Sequence, residues 1–274
     1  MARFETSDGL SLYYTDEGTG APILCLSGLT RTTADFDYVT PHLAGVRLIK
    51  LDYRGRGQSD WDENWSNYNL IVEARDVVEL VDHLELDKVA ILGTSRGGLL
   101  AMGLAFGAKE RLSGVALNDI GPVIEETGLT FIMGYLGLRP PHHTHVEMAR
   151  AMEKSMHSFR DVPFSRWLEE ATKHFTEKAD GLDITYDPKL RDAVVEQGAQ
   201  AAPDLWPFFD AMEGLPLACI RGENSDLFSV ETYEEMRRRR PDMIGASAVG
   251  RGHIPFLDEP ESIAALQTWI EDLK

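Results

Sequence analysis

The chain has 274 residues, of which 43% are hydrophobic and 26% are charged, a composition typical of a globular protein with one large α/β domain or a core with an insertion. Its formal net charge of −18 at pH 7 argues against nucleic acid or an anionic membrane as a partner. No run of about 20 apolar residues could span a bilayer, and the first residues lack the apolar core of a signal peptide. We therefore expect a cytoplasmic protein that binds no membrane.

The N-terminal half alternates predicted strands with predicted helices. From Leu70 onward the apolar residues recur on one helical face, while Glu73 and Asp76 point away from that face. The predicted elements of this half are a hairpin over residues 2–15, strands over 22–26, 46–51, 89–92 and 112–118, a helix near 34–36, and helices over 70–84 and 99–106.

The C-terminal half begins with a long segment in which the strand pattern is absent. Residues 123–205 predict helices over 146–159 and 164–179. The elements predicted after this segment are a strand over 217–220, a helix over 230–239, a strand over 243–249 and a helix over 260–273. Strands that alternate with helices through short loops indicate a mostly parallel sheet with helices on both faces.

The cysteines and a group of histidines do not indicate a reactive site. Cys25 and Cys219 each lie in an apolar strand, which predicts two buried thiols. His142, His143 and His145 lie in a proline-flanked irregular segment without a matching pattern of carboxylates, and we interpret them as solvated side chains. We predict no metal site and no cofactor.

The segment Gly93-Thr94-Ser95-Arg96-Gly97 joins a predicted strand directly to a predicted helix. A strand, a tight turn and a helix make a sharp bend that exposes the central side chain, and the two glycines permit the close packing that the bend needs. The helix N-terminus favours negative charge beside the bend. We therefore predict that Ser95 is a catalytic nucleophile.

A serine nucleophile needs a base and an acid that orients the base. His253 follows the last predicted strand and should emerge at the same sheet edge as Ser95, so it is the predicted base. Two acids also follow strands. We favour Asp226, which follows the penultimate predicted strand and precedes His253 by 27 residues, in the chain order serine, aspartate, histidine. Asp119, after the strand that follows the bend, is the alternative.

The oxyanion of an acyl-transfer reaction needs two fixed hydrogen-bond donors, each worth roughly 3 kcal/mol of barrier. We predict the backbone amide of Arg96, at the helix start, and that of Leu29, in the loop after strand 22–26. Gly28 allows this loop to approach a substrate closely.

These segments together resemble the α/β-hydrolase fold superfamily. The motifs that carry the resemblance are Gly93-Thr94-Ser95-Arg96-Gly97-Gly98, Asp52-Tyr53-Arg54-Gly55-Arg56-Gly57-Gln58-Ser59, Arg221-Gly222-Glu223-Asn224-Ser225-Asp226 and Gly252-His253. The resemblance implies an α/β fold with a mostly parallel eight-stranded sheet flanked by helices, formed by residues 1–122 and 206–274. It also implies that residues 123–205 form an inserted helical cap.

Two positions depart from the common pattern of this superfamily. The oxyanion loop begins Ser27-Gly28 where many relatives have His-Gly. Arg96 replaces a commonly apolar residue. We favour a structural ion pair for its side chain, and the alternative is a contact with a polar substrate group or a carboxylate of the cap. A serine at the bend, rather than an aspartate, argues against the superfamily members that attack through a carboxylate, the dehalogenases and epoxide hydrolases.

The predicted function is that of a serine hydrolase, of the carboxylesterase or lactonase kind, which cleaves an ester or lactone of a small, largely apolar molecule through an acyl-enzyme. The expected substrate pocket includes Phe36, Tyr135, Trp167 and Trp206. Because a fold and a triad do not determine the reaction, the alternative is C–C bond hydrolysis, lyase or cofactor-free oxygenase chemistry. A non-catalytic ligand receptor is the third hypothesis. The expected partner is a small-molecule substrate, and the sequence does not distinguish a monomer from a homodimer.

Overall fold

The computed structural model of the chain describes residues 2–199 and 203–273. Its strands are β1 (Ala2–Glu5), β2 (Ser11–Gly18), β3 (Ala21–Leu26), β4 (Val46–Leu51), β5 (Val89–Thr94), β6 (Leu112–Asn118), β7 (Phe175–Lys178), β8 (Gly181–Ile184), β9 (Leu217–Gly222) and β10 (Ile244–Ala248). Its α-helices are α1 (Leu70–His83), α2 (Arg96–Gly107), α3 (Glu126–Tyr135), α4 (His145–Ser155), α5 (Phe164–His174), α6 (Leu190–Gly198), α7 (Trp206–Asp210), α8 (Val230–Arg239) and α9 (Pro260–Glu271). Short 3₁₀ helices occur at Thr33–Phe36, Thr40–His42, Trp65–Asn67 and Lys109–Arg111.

Eight strands form one sheet in the order β1-β2-β4-β3-β5-β6-β9-β10. The pairs β1–β2 and β2–β4 are antiparallel, and the pairs from β4–β3 to β9–β10 are parallel. The central strands are almost continuously apolar because both faces of the sheet are covered. The predicted fold class, a mostly parallel eight-stranded sheet flanked by helices, is confirmed.

Two hydrophobic layers cover the two faces of this sheet. On one face, α1, α2 and α8 contribute buried side chains such as Leu80, Leu100 and Met236. On the other face, α9 contributes Trp269 and packs with the segment around Phe36. Parallel strands all present their carboxyl ends at one edge, so the loops after β3, β5, β6, β9 and β10 lie side by side.

Residues 123–205, between β6 and α7, are called the inserted segment below. They contain α3 to α6 and an antiparallel hairpin of β7 and β8, which the sequence analysis missed. The helix predicted over 164–179 ends at His174, and the chain then turns back at Asp180-Gly181, where Gly181 has a φ of 123°. An Asp-Gly pair favours a hairpin turn because glycine readily adopts positive φ, and this signal was available in the sequence.

Cys25 and Cys219 are free and buried, as predicted, and burial raises the pKa of the Cys25 thiol to about 12. Within residues 2–199 and 203–273, none of the helices combines the length and the hydropathy required to cross a bilayer.

Candidate active site

Ser95 lies in the tight turn between β5 and α2, with a φ of 49° and a ψ of −112°. A positive φ is uncommon for a residue other than glycine and marks local strain. The turn is held by the Ser95 N–H, which donates to the Asn118 carbonyl at 2.9 Å. A Cβ at Gly97 would collide with the Leu26 carbonyl oxygen, so only glycine allows α2 to pack this closely against β3. The predicted sharp bend is present.

His253 connects Ser95 to a buried acid. Ser95 Oγ lies 3.0 Å from His253 Nε2, and His253 Nδ1 lies 2.7 Å from Asp119 Oδ2. The Asp119 side chain is fully buried, and 13% of the His253 side chain is exposed. A proton on Nδ1 donated to Asp119 leaves Nε2 free to accept the Ser95 hydroxyl proton. These three groups form the hydrogen-bond relay that a serine nucleophile needs.

The acid in contact with His253 is therefore Asp119, and the preference for Asp226 is corrected. Asp119 follows β6 with a φ of 53°. Its carboxylate also accepts the Gly222 N–H at 2.7 Å and the Ser225 hydroxyl at 2.6 Å. These hydrogen bonds, from the last residue of β9 and from the loop after it, fix Asp119 beside the histidine. Asp226 lies in the same cavity as Ser95, but its carboxylate accepts no hydrogen bond from the described residues.

The two predicted oxyanion donors lie on adjoining elements. The Gly97 N–H donates to the Ser27 carbonyl at 3.1 Å, which holds the loop after β3 against the start of α2. Arg56 Nε donates to the Leu29 carbonyl at 3.0 Å and fixes that peptide. In the part of the chain that the structure describes, neither the Leu29 nor the Arg96 amide donates to a protein acceptor. Both amides are therefore available, and their oxyanion role stays a prediction.

The Arg96 side chain forms the expected structural ion pair. Arg96 Nε lies 2.6 Å from Glu73 Oε2, and Arg56 Nη1 lies 2.8 Å from Glu73 Oε1. Glu73 and Arg56 are completely buried. Burial alone would raise the Glu73 pKa, but the charges of Arg56 and Arg96 outweigh it and hold that pKa below the usual value of 4.5. A buried network of two cations and one anion therefore supports the tight turn at Ser95, which is called the elbow below.

Replacing Glu73 with glutamine is expected to lower the free energy of unfolding by about 3–5 kcal/mol, because it leaves two buried guanidinium groups without a counter-charge. Because the folded-state pKa of Glu73 lies below its unfolded value, the contribution of its charge is complete above about pH 4.5 and is lost as the pH falls through the folded-state pKa. Urea unfolding of both proteins at neutral and acidic pH measures this difference, which should shrink on acidification.

Glu235→Gln is the matched control for this variant. Glu235 also lies on a helix and pairs with two arginines, Arg238 and Arg239, but at the surface. Solvent screens exposed ion pairs, so we expect little change in the free energy of unfolding. Equal destabilisation by Glu235→Gln and Glu73→Gln would contradict the proposed importance of the buried network.

A cavity of about 380 Å³, called the reaction chamber below, surrounds Ser95 and His253. The loop 28–31 forms one wall, and α3 with residues 155–158 of the inserted segment forms another. The inserted segment also touches the loop that carries His253, because Arg160 N–H donates to the Gly250 carbonyl at 2.8 Å. Access to Ser95 therefore runs between the sheet edge and the inserted segment.

Among the four predicted pocket residues, Tyr135 lines the reaction chamber and the other three do not. Phe36 is buried in the hydrophobic layer beside α9. Trp167 is buried in a separate cluster within the inserted segment. Trp206 packs outside the chamber, with the Arg239 guanidinium 4.0 Å from its ring centre. These three predictions are corrected: each aromatic ring packs against protein instead of facing the cavity.

Arg31 is a chamber residue that the sequence analysis did not single out. It lines the wall beside Gly28, and its guanidinium lies 3.1 Å from Glu170 and 3.4 Å from Asp35. The sequence offered one signal, a charged residue in the loop directly after Gly28 and Leu29. Its partner Glu170 lies on α5, so this ion pair joins the oxyanion loop to the inserted segment.

The chain is similar in sequence and in structure to known proteins. The model of the alpha/beta hydrolase family matches residues 23–266. A 3-hydroxybutyrate-oligomer hydrolase of Cupriavidus necator is 35% identical over 251 residues, which cover 88% of this chain and 85% of the relative. An alpha/beta hydrolase of Novosphingobium aromaticivorans is 35% identical and has a TM-score of 0.92, with 99% of this chain and 97% of that chain covered.

A more distant solved structure shares the fold. E-2-(acetamidomethylene)succinate hydrolase has a TM-score of 0.82 at 21% identity, with 98% of each chain covered. The sheet order, the elbow at Ser95 and the family match define the class of the protein. The chain belongs to the alpha/beta hydrolase family, and its relationship to named hydrolases supports hydrolase activity.

Proposed function

We propose that this protein hydrolyses a carboxylic ester of a small, largely apolar molecule through an acyl-enzyme, with Ser95 as the nucleophile. The observation that carries the proposal is the relay from Ser95 Oγ to His253 Nε2 at 3.0 Å and from His253 Nδ1 to Asp119 at 2.7 Å. A serine hydroxyl becomes nucleophilic when a correctly oriented base accepts its proton.

In the proposed first step, Ser95 Oγ attacks the ester carbonyl carbon while His253 Nε2 takes the hydroxyl proton. Buried Asp119 stabilises the imidazolium that forms. The carbonyl oxygen becomes an oxyanion, for which the free amides of Leu29 and Arg96 are the proposed donors. The tetrahedral intermediate then expels the alcohol, which receives the proton from His253, and the acyl group stays on Ser95.

In the second step, His253 deprotonates a water molecule that attacks the acyl-enzyme. A second tetrahedral intermediate expels Ser95 Oγ, which recovers its proton from His253, and the carboxylic acid leaves. Every proton moves through His253 Nε2, so the step needs no co-reactant other than water.

Two findings support an ester as the scissile group. The curated relative from Cupriavidus necator is described as a hydrolase of 3-hydroxybutyrate oligomers, whose units are joined by esters. The reaction chamber also suits a small acyl group, since its volume of about 380 Å³ lies at the lower end of the range for ligand pockets. A lactone offers the same carbonyl chemistry and is included in the proposal.

We further propose that residues 123–205 act as a cap over a core of residues 1–122 and 206–274. The support is positional: α3 and residues 155–158 line the chamber opposite the sheet edge, and α5 holds Arg31 through Glu170. On this proposal the cap selects the substrate, while the loops after β5, β6 and β10 perform the chemistry.

The test is a panel of p-nitrophenyl esters, thioesters and lactones, combined with a fluorophosphonate probe that labels activated serines. We expect hydrolysis of at least the short esters and a single label, which peptide mass spectrometry places on Ser95. Labelling of Ser95 with no hydrolysis of any panel member would refute ester hydrolysis and favour a different use of the triad. Absence of labelling would refute the nucleophile.

A further inference from the structure

A second cavity adjoins the reaction chamber within the inserted segment. Its volume is about 640 Å³, larger than the 380 Å³ of the reaction chamber, and it is called the distal chamber here. The residues common to the walls of both cavities are Thr30, Arg31, Phe131, Tyr135, Ser155 and Met156. Because they share these walls, the two cavities adjoin, and a ligand bound at Ser95 that passes between the shared side chains would enter the distal chamber.

The boundary between the two chambers is held in place by Arg31. Its guanidinium lies 3.1 Å from Glu170 and 3.4 Å from Asp35 and also contacts the ring of His174. Burial would lower the Arg31 pKa, but the two carboxylates raise it above the usual value of 12.5, so the side chain stays charged and paired. Asp35 and Glu170 of the protein balance the charge of Arg31. The boundary therefore does not require an anionic ligand.

Exposed apolar side chains concentrate along the distal chamber. Phe131, Tyr135 and Leu138 line it, and they are 46%, 42% and 51% exposed. Large exposed apolar groups that cluster in a concave wall mark ligand sites, because covering them releases water from apolar surface. None of the described residues lining this chamber is acidic, although the chain has 45 Asp and Glu residues. Its basic residues besides Arg31 are Arg139, His142 and His174, and two of them are paired: Arg139 with Asp180, and His174 with Glu170. Since most of the remaining lining side chains are apolar, the wall favours an apolar occupant.

We propose that the distal chamber binds the apolar chain of an elongated ester, remote from the scissile carbonyl, and that the protein therefore prefers extended esters to short ones. This inference rests on the proposed ester hydrolysis at Ser95. Contacts to a remote chain can increase kcat/KM only when the chain and the reacting carbonyl bind together, which the shared walls allow.

Gly134 provides a way to fill the distal chamber without disturbing the chemistry. It lies on α3 and lines the distal chamber but not the reaction chamber, and a Cβ built there meets no atom within 4 Å. Gly134→Phe should therefore fold and occupy the space with its ring. Gly103→Phe is the matched control, because Gly103 on α2 also has open space around its Cβ and lines neither chamber.

The experiment compares kcat/KM within two pairs of esters. The pair p-nitrophenyl acetate and p-nitrophenyl octanoate differs in the length of the acyl group, and the pair ethyl acetate and octyl acetate differs in the length of the alcohol. In at least one pair we expect the wild type to favour the long ester by about tenfold or more, since even one methylene in an apolar pocket can change kcat/KM by that factor. Gly134→Phe should remove this preference while short-ester turnover stays within about twofold, and Gly103→Phe should keep the preference.

Octan-1-ol binding by calorimetry measures the distal chamber without turnover. We expect binding to the wild type and Gly103→Phe and its loss in Gly134→Phe. Ser95-dependent hydrolysis with no preference for the long ester in either pair, or a preference unchanged in folded Gly134→Phe, would overturn the distal chamber and leave the proposed function standing. Octan-1-ol binding without hydrolysis of any ester would instead overturn the proposed function, and the chain-length proposal as stated would fail with it.

Discussion

Ser95→Ala is expected to reduce kcat for p-nitrophenyl esters by a factor on the order of 10⁴ to 10⁶, because alanine cannot form the acyl-enzyme. Ser95 Oγ has His253 Nε2 as its side-chain contact in the relay, so its removal breaks no structural hydrogen bond of the core. The Leu29 and Arg96 amides would still polarise a bound carbonyl, and a small residual rate above that in water is expected.

The matched control is Ser113→Ala. Ser113 lies near the start of β6, at the end of the strand opposite Asp119, and we expect its turnover to stay within about twofold of the wild type. Thermal unfolding of both variants tests that they are folded. A folded Ser95→Ala enzyme with the wild-type rate would exclude Ser95 as the nucleophile, whatever the labelling experiment shows.

The fold was predictable because parallel strands buried on both faces leave a simple pattern. β6 begins and ends at the predicted residues 112 and 118, and α8 spans the predicted residues 230–239. In both, the local apolar pattern and the tertiary environment require the same structure. The placement of Ser95 and His253 at one sheet edge followed from the same rule, since parallel strands share the direction of their carboxyl ends.

The burial of a side chain was not predictable where it depends only on contacts with distant parts of the chain. Glu73 and Asp76 lie off the apolar face of α1, yet both are completely buried because arginines of the loop after β4 reach them. Which aromatic residues of the inserted segment line the cavity was not predictable either. Trp167 and Tyr135 are both aromatic residues on helices, and only the packing of those helices decides that Tyr135 lines a cavity while Trp167 does not.

The acid was ambiguous in the sequence for a physical reason. Asp119 follows β6 and Asp226 follows β9, and these strands are neighbours in the sheet. Both carboxylates therefore emerge near His253, and both give the chain order serine, aspartate, histidine. The hydrogen bonds that Asp119 accepts from His253, Gly222 and Ser225 support Asp119 as the acid. They depend on the path of the chain at the end of β9 and in the loop after it, which the local sequence pattern does not define.

Asp119→Asn is expected to reduce kcat by about 10⁴-fold, because an asparagine amide holds the histidine in the wrong tautomer while preserving its position. In the wild type the Asp119 carboxylate accepts the Nδ1 proton, which leaves Nε2 as the acceptor for Ser95. Asp226→Asn makes the same chemical change at a carboxylate that lines the reaction chamber but lies outside the relay. We expect its kcat to stay far closer to the wild-type value than that of Asp119→Asn, because the relay of Ser95, His253 and Asp119 remains intact.

The comparison separates catalysis from folding. Asp119 also accepts hydrogen bonds from Gly222 and Ser225, so Asp119→Asn should lower the melting temperature as well. Ser225→Ala removes one of these bonds and keeps the carboxylate, and it should share part of the destabilisation while retaining most of the activity. The double variant with Asp119→Asn and Asp226→Asn should have the same kcat as Asp119→Asn alone, because the loss of Asp119 already disables the relay. If Asp226→Asn is the inactive protein and Asp119→Asn is active, the acid is Asp226, and His253 must change partners before it acts as a base.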